Sequence, residues 1–319
     1  MAAGPSPTQT ILRLGTRRSP LAIAQAEEAR DRLLGAAQAA GDHIAVEIVR
    51  VTASGDRVLD RPLAEIGGKA LWTRELDAWL LAGEIDFAVH SLKDVETVRP
   101  AAIALVAVLP REDIRDVLVG APSLAALPQG ARIGTSAPRR AAQMLHLRPD
   151  CRIVPFRGNV ATRLAKLAAG EAEATLLARA GLNRLGEASV GTALEPDQWF
   201  PAPGQGAIAI ECRATDTATR ARLARIDDAA SHADVAAERA LLAALGGNCH
   251  SALGVWSRRE GGERCLRAAL FSPDGAARVT DEERLVAGDA DAPARLAARL
   301  LAAAPATISA HFAGPARGG

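Results

Sequence analysis

The sequence predicts an α/β protein of several domains, and three observations carry that expectation. Strands repeatedly feed helices through turns bearing glycine, serine or threonine, the signature of βαβ organisation. The proline- and glycine-rich segment 201–206 changes the backbone's direction, and an apolar strand follows it, as if the chain returned to a sheet begun earlier. The last ninety residues then change character, reading as a helix, a strand meander and a final helix, a small α+β domain. At 319 residues the chain exceeds one ordinary core, and 49% hydrophobic residues give each domain an interior.

The elements follow in order. Residues 1–10 read as a loose tail without the basic start and apolar core of a signal peptide. A strand over Ile11–Leu14 leads through Gly15 to Ser19, a good N-cap, and Pro20, suited to a first helical position, so a helix is expected over Pro20–Leu34. Amides at such a helix start attract anions, with Arg17 and Ser19 at the mouth. A strand over Ile44–Val51 ends in a loop holding Asp56, which either bonds a ligand or closes an Asx-turn. Gly67-Gly-Lys69 opens a helix over Leu71–Leu81, with Lys69 near its start and Trp72 facing either core or cleft.

The stretch Phe87–Thr97 is the centre of the reading. Ile85, Phe87 and Val89 alternate with Asp86, Ala88 and His90 as a strand, which then breaks into a polar run carrying Lys93 and Asp94. Ligands bind at strand ends in open α/β sheets, so Asp94 is the first candidate for chemistry. The competing reading is a solvated Lys–Asp pair of little energetic weight. Lysine is rare here, confined to Lys69, Lys93 and Lys166 against a background of arginine. A compact ammonium is therefore worth noting where it persists.

Beyond a strand at Ile103–Leu109, the polar segment 110–115 suits a hinge, and Asp116–Val119 begins a second unit. Three strand-to-helix steps follow: Gly134-Thr-Ser136 leading to Arg139 and Arg140, Ile153–Asn159 with Arg157 leading to the helix of Arg163, and Ala174–Ala178 leading to Arg184. Arginines thus gather where strands end. Guanidinium forks match carboxylates in bidentate fashion, so Arg17, Arg139, Arg140, Arg157, Arg163 and Arg184 suit a ligand with many carboxylates. A phosphate ligand stays open, although no Walker loop and no dinucleotide fingerprint supports it. In the last portion Ser231-His-Ala-Asp234 is expected to cap a helix through Leu245. Strands at Ala252–Ser257, Cys265–Phe271 and Ala276–Leu285 precede a helix near Pro293–Ala303. The expected domains are 11–109 with 207–224, then 115–203, then 229–319.

A formal charge of +1 gives no field to gather nucleic acid, and 3% aromatic residues leave little for base stacking. The longest apolar run, Ala101–Leu109, is too short to span a bilayer. Four cysteines, at 151, 212, 249 and 265, show neither metal-ligand nor disulfide spacing, so no metal is expected and a reducing cytoplasm is the simplest home. Cys249 stands apart in the glycine-rich Gly246-Gly-Asn-Cys-His250 just past a helix's carboxyl end, the negative pole, which disfavours a thiolate nucleophile. Single alkylation by a strong electrophile fits it better than repeated acyl transfer, and an inert loop cysteine is the other reading.

Together these segments resemble the porphobilinogen deaminase (hydroxymethylbilane synthase) family over nearly the whole chain after the tail. The resemblance lies in Leu14-Gly-Thr-Arg-Arg-Ser-Pro-Leu-Ala22, Gly67-Gly-Lys69, Val89-His-Ser-Leu-Lys-Asp-Val95, Gly134-Thr-Ser136 with Arg139-Arg140, Arg157-Gly-Asn-Val160 with Thr162-Arg163, Pro203-Gly-Gln-Gly206 and Gly246-Gly-Asn-Cys249. It implies two periplasmic-binding-protein-like domains joined by a hinge, with the active cleft between them, and a third domain bearing the cofactor loop. It further implies a dipyrromethane cofactor held by a thioether to Cys249. Four porphobilinogen molecules are joined to it head to tail with loss of ammonia, and water releases the linear tetrapyrrole. Asp94 is then the catalytic residue. It stabilises the cationic pyrrole left by ammonia loss and shuttles protons. Arg17, Ser19, Asp56, Lys69, Trp72, Ser91, Lys93, Thr135, Ser136, Arg139, Arg140, Arg157, Arg163, Arg184 and Gln205 are the implied cofactor- and substrate-binding residues. The expected partners are porphobilinogen and the growing polypyrrole chain, without nucleic acid or membrane, and the expected state is a monomer.

Four departures from the family pattern bear on affinity and rate. Glu65 stands where a lysine is frequent, Ala137-Pro138 replace Ser-Leu, Trp72 replaces phenylalanine, and Glu96 stands where proline is frequent. The rival from another class is a non-catalytic two-domain polycarboxylate-binding protein, which leaves Cys249 and the third domain without a use.

Overall fold

The computed structural model describes residues 9–51 and 73–314. These divide into two compact units, one holding the described residues up to 95 with 99–110 and 208–232, the other 96–98, 111–207 and the described residues from 233 on.

The first unit is built on a five-stranded mixed sheet. Its strands are β1 (Thr10–Arg17), β2 (Ile44–Val51), β3 (Phe87–Ser91), β4 (Ile103–Val108) and β10 (Ile208–Arg213), in the order β2-β1-β3-β10-β4. β1 runs parallel to β2 and β3, whereas β10, which α6 (Thr217–Leu223) follows, runs antiparallel to both β3 and β4. The strand after the proline–glycine segment therefore does return to the first sheet. Helix α1 (Pro20–Ala39) starts as expected, with the Ser19 hydroxyl accepting from the Ala22 amide and Pro20 in its first turn. It runs five residues beyond the expected Leu34, because Ala37 continues the buried stripe of Ala26, Ala29 and Leu33 against the sheet. On the other face α2 (Arg74–Leu81) packs Leu76 and Leu80 on Ile85, Ala88 and Ile103. The expected positions Asp56, Glu65, Lys69 and Trp72 lie outside the described residues.

In the second unit a sheet of the same pattern is made by β5 (Asp116–Val119), β6 (Arg132–Gly134), β7 (Arg152–Val154), β8 (Ala174–Ala178) and β9 (Thr192–Ala193), ordered β7-β6-β8-β5-β9. Helices α3 (Pro138–Leu147), α4 (Val160–Ala168) and α5 (Arg179–Arg184) follow its parallel strands. Asn159 caps α4 by accepting from the Thr162 amide. Two α/β sheets of matching order, each with parallel strands and antiparallel returns, are the periplasmic-binding-protein-like architecture.

The same unit holds the terminal meander β11 (Leu253–Glu260), β12 (Glu263–Phe271) and β13 (Arg278–Leu285), with α8 (Ala292–Ala303) and α9 (Ala306–Ser309). The region expected as a separate domain is packed into this unit. Ala142 of α3 and Phe200 share a buried cluster with Ala269 and Phe271, and the His146 Nδ1 lies 2.9 Å from the Gly275 carbonyl. Helix α7 (Ala229–Ala244) begins earlier than expected. Asp228, not Ser231, holds its first turn, accepting from the Ser231 amide at 2.8 Å. No described helix is long and apolar enough to cross a membrane.

Candidate functional site

In the first unit β1 and β3 are adjacent parallel strands, so the residues that leave their carboxyl ends meet. Arg17 at the end of β1 with Ser19 just past it, and Ser91 at the end of β3 with Asp94 just past it, line one open recess, with Thr73, Gln25 and His90 in its wall. Asp94 ends a single 3-10 turn, Leu92–Asp94, whose apolar member Leu92 is buried while Asp94 is exposed. Its carboxylate therefore projects from a turn anchored in the core. Ser19 gives its hydroxyl to the helix cap, and the amides of the first turn of α1 make the same corner favourable to anions. Lys93, half-buried, precedes Asp94 in the turn.

Beneath the recess lies a buried polar network that reading along the chain does not reveal. Gln25 of α1 donates from Nε2 to the Ser91 hydroxyl at 2.9 Å, and that hydroxyl lies 3.1 Å from the Gln25 Oε1. His90 and Glu211 sit on one face of the sheet as diagonal neighbours, since His90 pairs with Ala209 and Ala88 with Glu211. The His90 Nε2 lies 3.3 Å from the Glu211 Oε2, without the alignment of a hydrogen bond. Arg99 grips both oxygens of Glu211, at 2.9 and 2.8 Å, and reaches Asp77 with its two terminal nitrogens, one of them shared with Glu211. Burial alone raises the Glu211 carboxyl, but the His90 ring and the Arg99 guanidinium outweigh it and bring it down to about 2. Between its two carboxylates Arg99 is held above the ordinary guanidinium range, against the opposing effect of burial. A lone Glu within the apolar run Ala207–Cys212 was the available signal for this network.

In the second unit the expected arginines separate into two groups. Arg139 and Arg140, both expected at the ligand, are buried and turned onto Asp116. Asp116 is fully buried and accepts from Arg139, from two nitrogens of Arg140, from the Trp199 indole and from Gln205. A carboxylate cannot be buried cheaply unless its charge is paired and its lone pairs filled, and these two guanidiniums supply the pairing. Gln205, also expected at the ligand, is buried in the same network and donates to the Ile114 carbonyl as well.

The other three arginines are half-buried. Arg163 donates from Nε to the Gly158 carbonyl and Arg184 from a terminal nitrogen to the Gly206 carbonyl, at 3.0 Å each. Arg157 has one terminal nitrogen, Nη1, buried with no hydrogen-bond partner among the described residues. A buried cationic donor of this kind costs free energy until an acceptor reaches it, which suits a carboxylate-bearing pyrrole. Ser136 is exposed at the turn after β6, whereas the Thr135 hydroxyl is buried and accepts from the Ala137 amide at 3.2 Å. With Ala137 in the cap position, α3 has no side-chain cap.

Cys249 is exposed, in a loop fixed on both sides. Upstream, the Gly247 carbonyl accepts from the Thr97 hydroxyl at 3.0 Å. Around it, Asn248 and Ser251 exchange two hydrogen bonds and the Asn248 side chain accepts from the His250 amide. A thiol so placed is open to one alkylating event, and the orphaned Arg157 donor answers the carboxylates of a dipyrromethane, so the residues present fit that cofactor.

A family model described as porphobilinogen deaminase, dipyromethane cofactor binding domain, matches residues 12–221, and one described as porphobilinogen deaminase, C-terminal domain, matches 232–302. The porphobilinogen deaminase of Sphingopyxis alaskensis is 56% identical over 308 residues, covering 95% of this chain and 96% of that protein. That of Paracoccus denitrificans is 47% identical over 310 residues, covering 96% and 98%. Among solved structures, the VFT2 domain of Bordetella pertussis BvgS is 17% identical, with 72% of this chain and 91% of that one covered and a TM-score of 0.40.

Proposed function

The chain belongs to the porphobilinogen deaminase family, and from that premise we propose that Asp94 is its catalytic residue and Cys249 the attachment point of its cofactor. The reaction is hydroxymethylbilane synthesis. It joins four porphobilinogen molecules head to tail with loss of ammonia, a transferase step of tetrapyrrole biosynthesis, and uses a dipyrromethane cofactor. When bound, the dipyrromethane supplies the primer end to which pyrroles are added.

The residue roles follow from the geometry. Asp94 is carried on an exposed turn beside Arg17 and the capped start of α1, so porphobilinogen's acetate and propionate meet the cation while its ring nitrogen meets the carboxylate. A pyrrole losing ammonia becomes cationic, and a carboxylate already in place stabilises that charge without reorganising. The same carboxylate accepts the proton released when the new carbon–carbon bond forms. Ser19 and Ser91 orient the substrate at the recess. Ser136, Arg157, Arg163 and Arg184 bind pyrrole carboxylates, while Arg139, Arg140, Gln205 and Thr135 hold the turns that carry them. Asp56, Lys69 and Trp72 keep their assignment from the sequence, as does Lys93. In this reading the chain falls into three domains, with 229–319 a domain by function although packed with 115–203. It acts as a monomer in the cytoplasm, on a small-molecule substrate alone, without nucleic acid or membrane.

The observation that carries the reading is the convergence of Arg17, Ser19, Ser91 and Asp94 on one recess. Asp94→Asn is expected to lower turnover by about 10²–10³-fold or more while porphobilinogen still binds. Intact mass is expected to exceed the sequence mass by two pyrrole units, and Cys249→Ser to lose that excess. Wild-type turnover in the first variant, or an unmodified but active wild-type protein, overturns the assignment.

A further inference from the structure

Asp94 stands on a short turn, and both flanks of that turn end on one buried carboxylate. Four residues before Asp94, His90 closes on Glu211 from β3, with its Nε2 3.3 Å from Oε2. Five residues after it, Arg99 returns to the same carboxylate with a two-point grip at 2.9 and 2.8 Å. Glu211 is fully buried in the middle of β10, and the side chains of His90 and Arg99 retain only 5% and 9% exposure. Arg99 is fixed in turn by Asp77 on α2, so the anchor reaches the helix as well as the sheet.

We propose that Glu211 is a positioning residue for the reaction, holding the two ends of the Asp94 turn through His90 and Arg99 and so fixing where the catalytic carboxylate sits. A core position in an apolar strand has no packing use for a carboxylate, and its desolvation is costly unless charged partners surround it. Here both partners come from the segment that carries Asp94. Placement matters because a stabilising charge acts only when it is already where charge develops, and a shift of an ångström costs about a hundredfold in rate. The inference rests on the assignment of Asp94 as the catalytic residue.

The test uses cofactor-loaded enzyme, loading being verified by intact mass. Glu211→Gln is expected to lower kcat by tenfold or more with KM within about threefold of wild type. His90→Asn and Arg99→Lys, which each loosen one flank and leave the carboxylate, are expected to lower kcat by smaller factors in the same pattern. If Glu211 acts through these two side chains, adding Glu211→Gln to His90→Asn reduces kcat less than it does in the wild-type background. A rise in KM at constant kcat, a wild-type kcat in folded Glu211→Gln, or factors that simply multiply in the double variant would overturn the proposal. Should Glu211→Gln fail to fold, the KM-against-kcat split of the two flank variants decides alone. An inactive Asp94→Asn beside a fully active Glu211→Gln sinks this inference and spares the catalytic assignment, whereas an active Asp94→Asn removes the assignment itself.

Discussion

The Gln25 side chain donates to the Ser91 hydroxyl at 2.9 Å, joining the buried face of α1 to the residue that opens the Asp94 turn. Gln25 is almost wholly buried, a costly place for an amide, and Ser91 meets both its donor and its acceptor ends. The pair couples the element carrying Arg17 and Ser19 to the element carrying Asp94.

Gln25→Leu is therefore expected to leave Ser91 without this partner and to destabilise the protein by about 1–3 kcal/mol. Urea unfolding measures the loss. Because the pair also sets the recess, KM for porphobilinogen is expected to rise in the same variant, and an unchanged KM would count against that coupling.

Asp116 makes a different prediction, because it holds two buried guanidiniums. Asp116→Ala removes the charge that compensates Arg139 and Arg140, whose side chains keep only 7% and 6% exposure. A loss of about 3–5 kcal/mol is expected, read as a lower midpoint in chemical denaturation. Asp116→Asn, which keeps the shape but not the charge, should fall between the alanine variant and wild type.

Gly134 ends β6 with the Phe156 ring packed flat against it, and a Cβ there would overlap ring carbons. Phe156 is 1% exposed and has no room to withdraw. Gly134→Ala is expected to cost about 1–3 kcal/mol by overpacking, a drop in melting temperature that Phe156→Leu in the same chain should partly relieve.

Acid sensitivity follows from Glu211. Its carboxyl is brought from the ordinary 4.5 to about 2 in the folded protein, burial opposing and His90 and Arg99 prevailing. A depressed folded pKa contributes stability that is present above the unfolded value and lost as pH falls through the folded one. The contribution, on the order of a few kcal/mol, is thus expected to disappear between about pH 4.5 and 2. Groups facing the carboxylate are His90, Arg99 and, through Arg99, Asp77. Stability measured against pH should fall less steeply across that window in Glu211→Gln than in wild type. Parallel curves would show that the carboxylate is not the group being titrated.

Much of this molecule is written locally along the chain. Ser19-Pro20 fixes where α1 starts because a hydroxyl cap and a preset φ act within one turn, and short apolar runs bounded by turn residues place β2 and β8 to the residue. The motifs around Arg17, Asp94 and Cys249 were legible for the same reason, each being a short run of unusual residue types. What sequence could not determine is which arginine a buried carboxylate claims. Arg139 and Arg140 carry the same chemistry as Arg157, yet Asp116 claims the first two while a nitrogen of the third finds no acceptor among the described residues. That choice belongs to the tertiary structure, because it depends on which carboxylate the strands bring near. Glu211 joins His90 and Arg99 only because β10 returns antiparallel beside β3, more than a hundred residues later in the chain. Local propensity places a charge on an element, and only packing decides what desolvates it and what answers it.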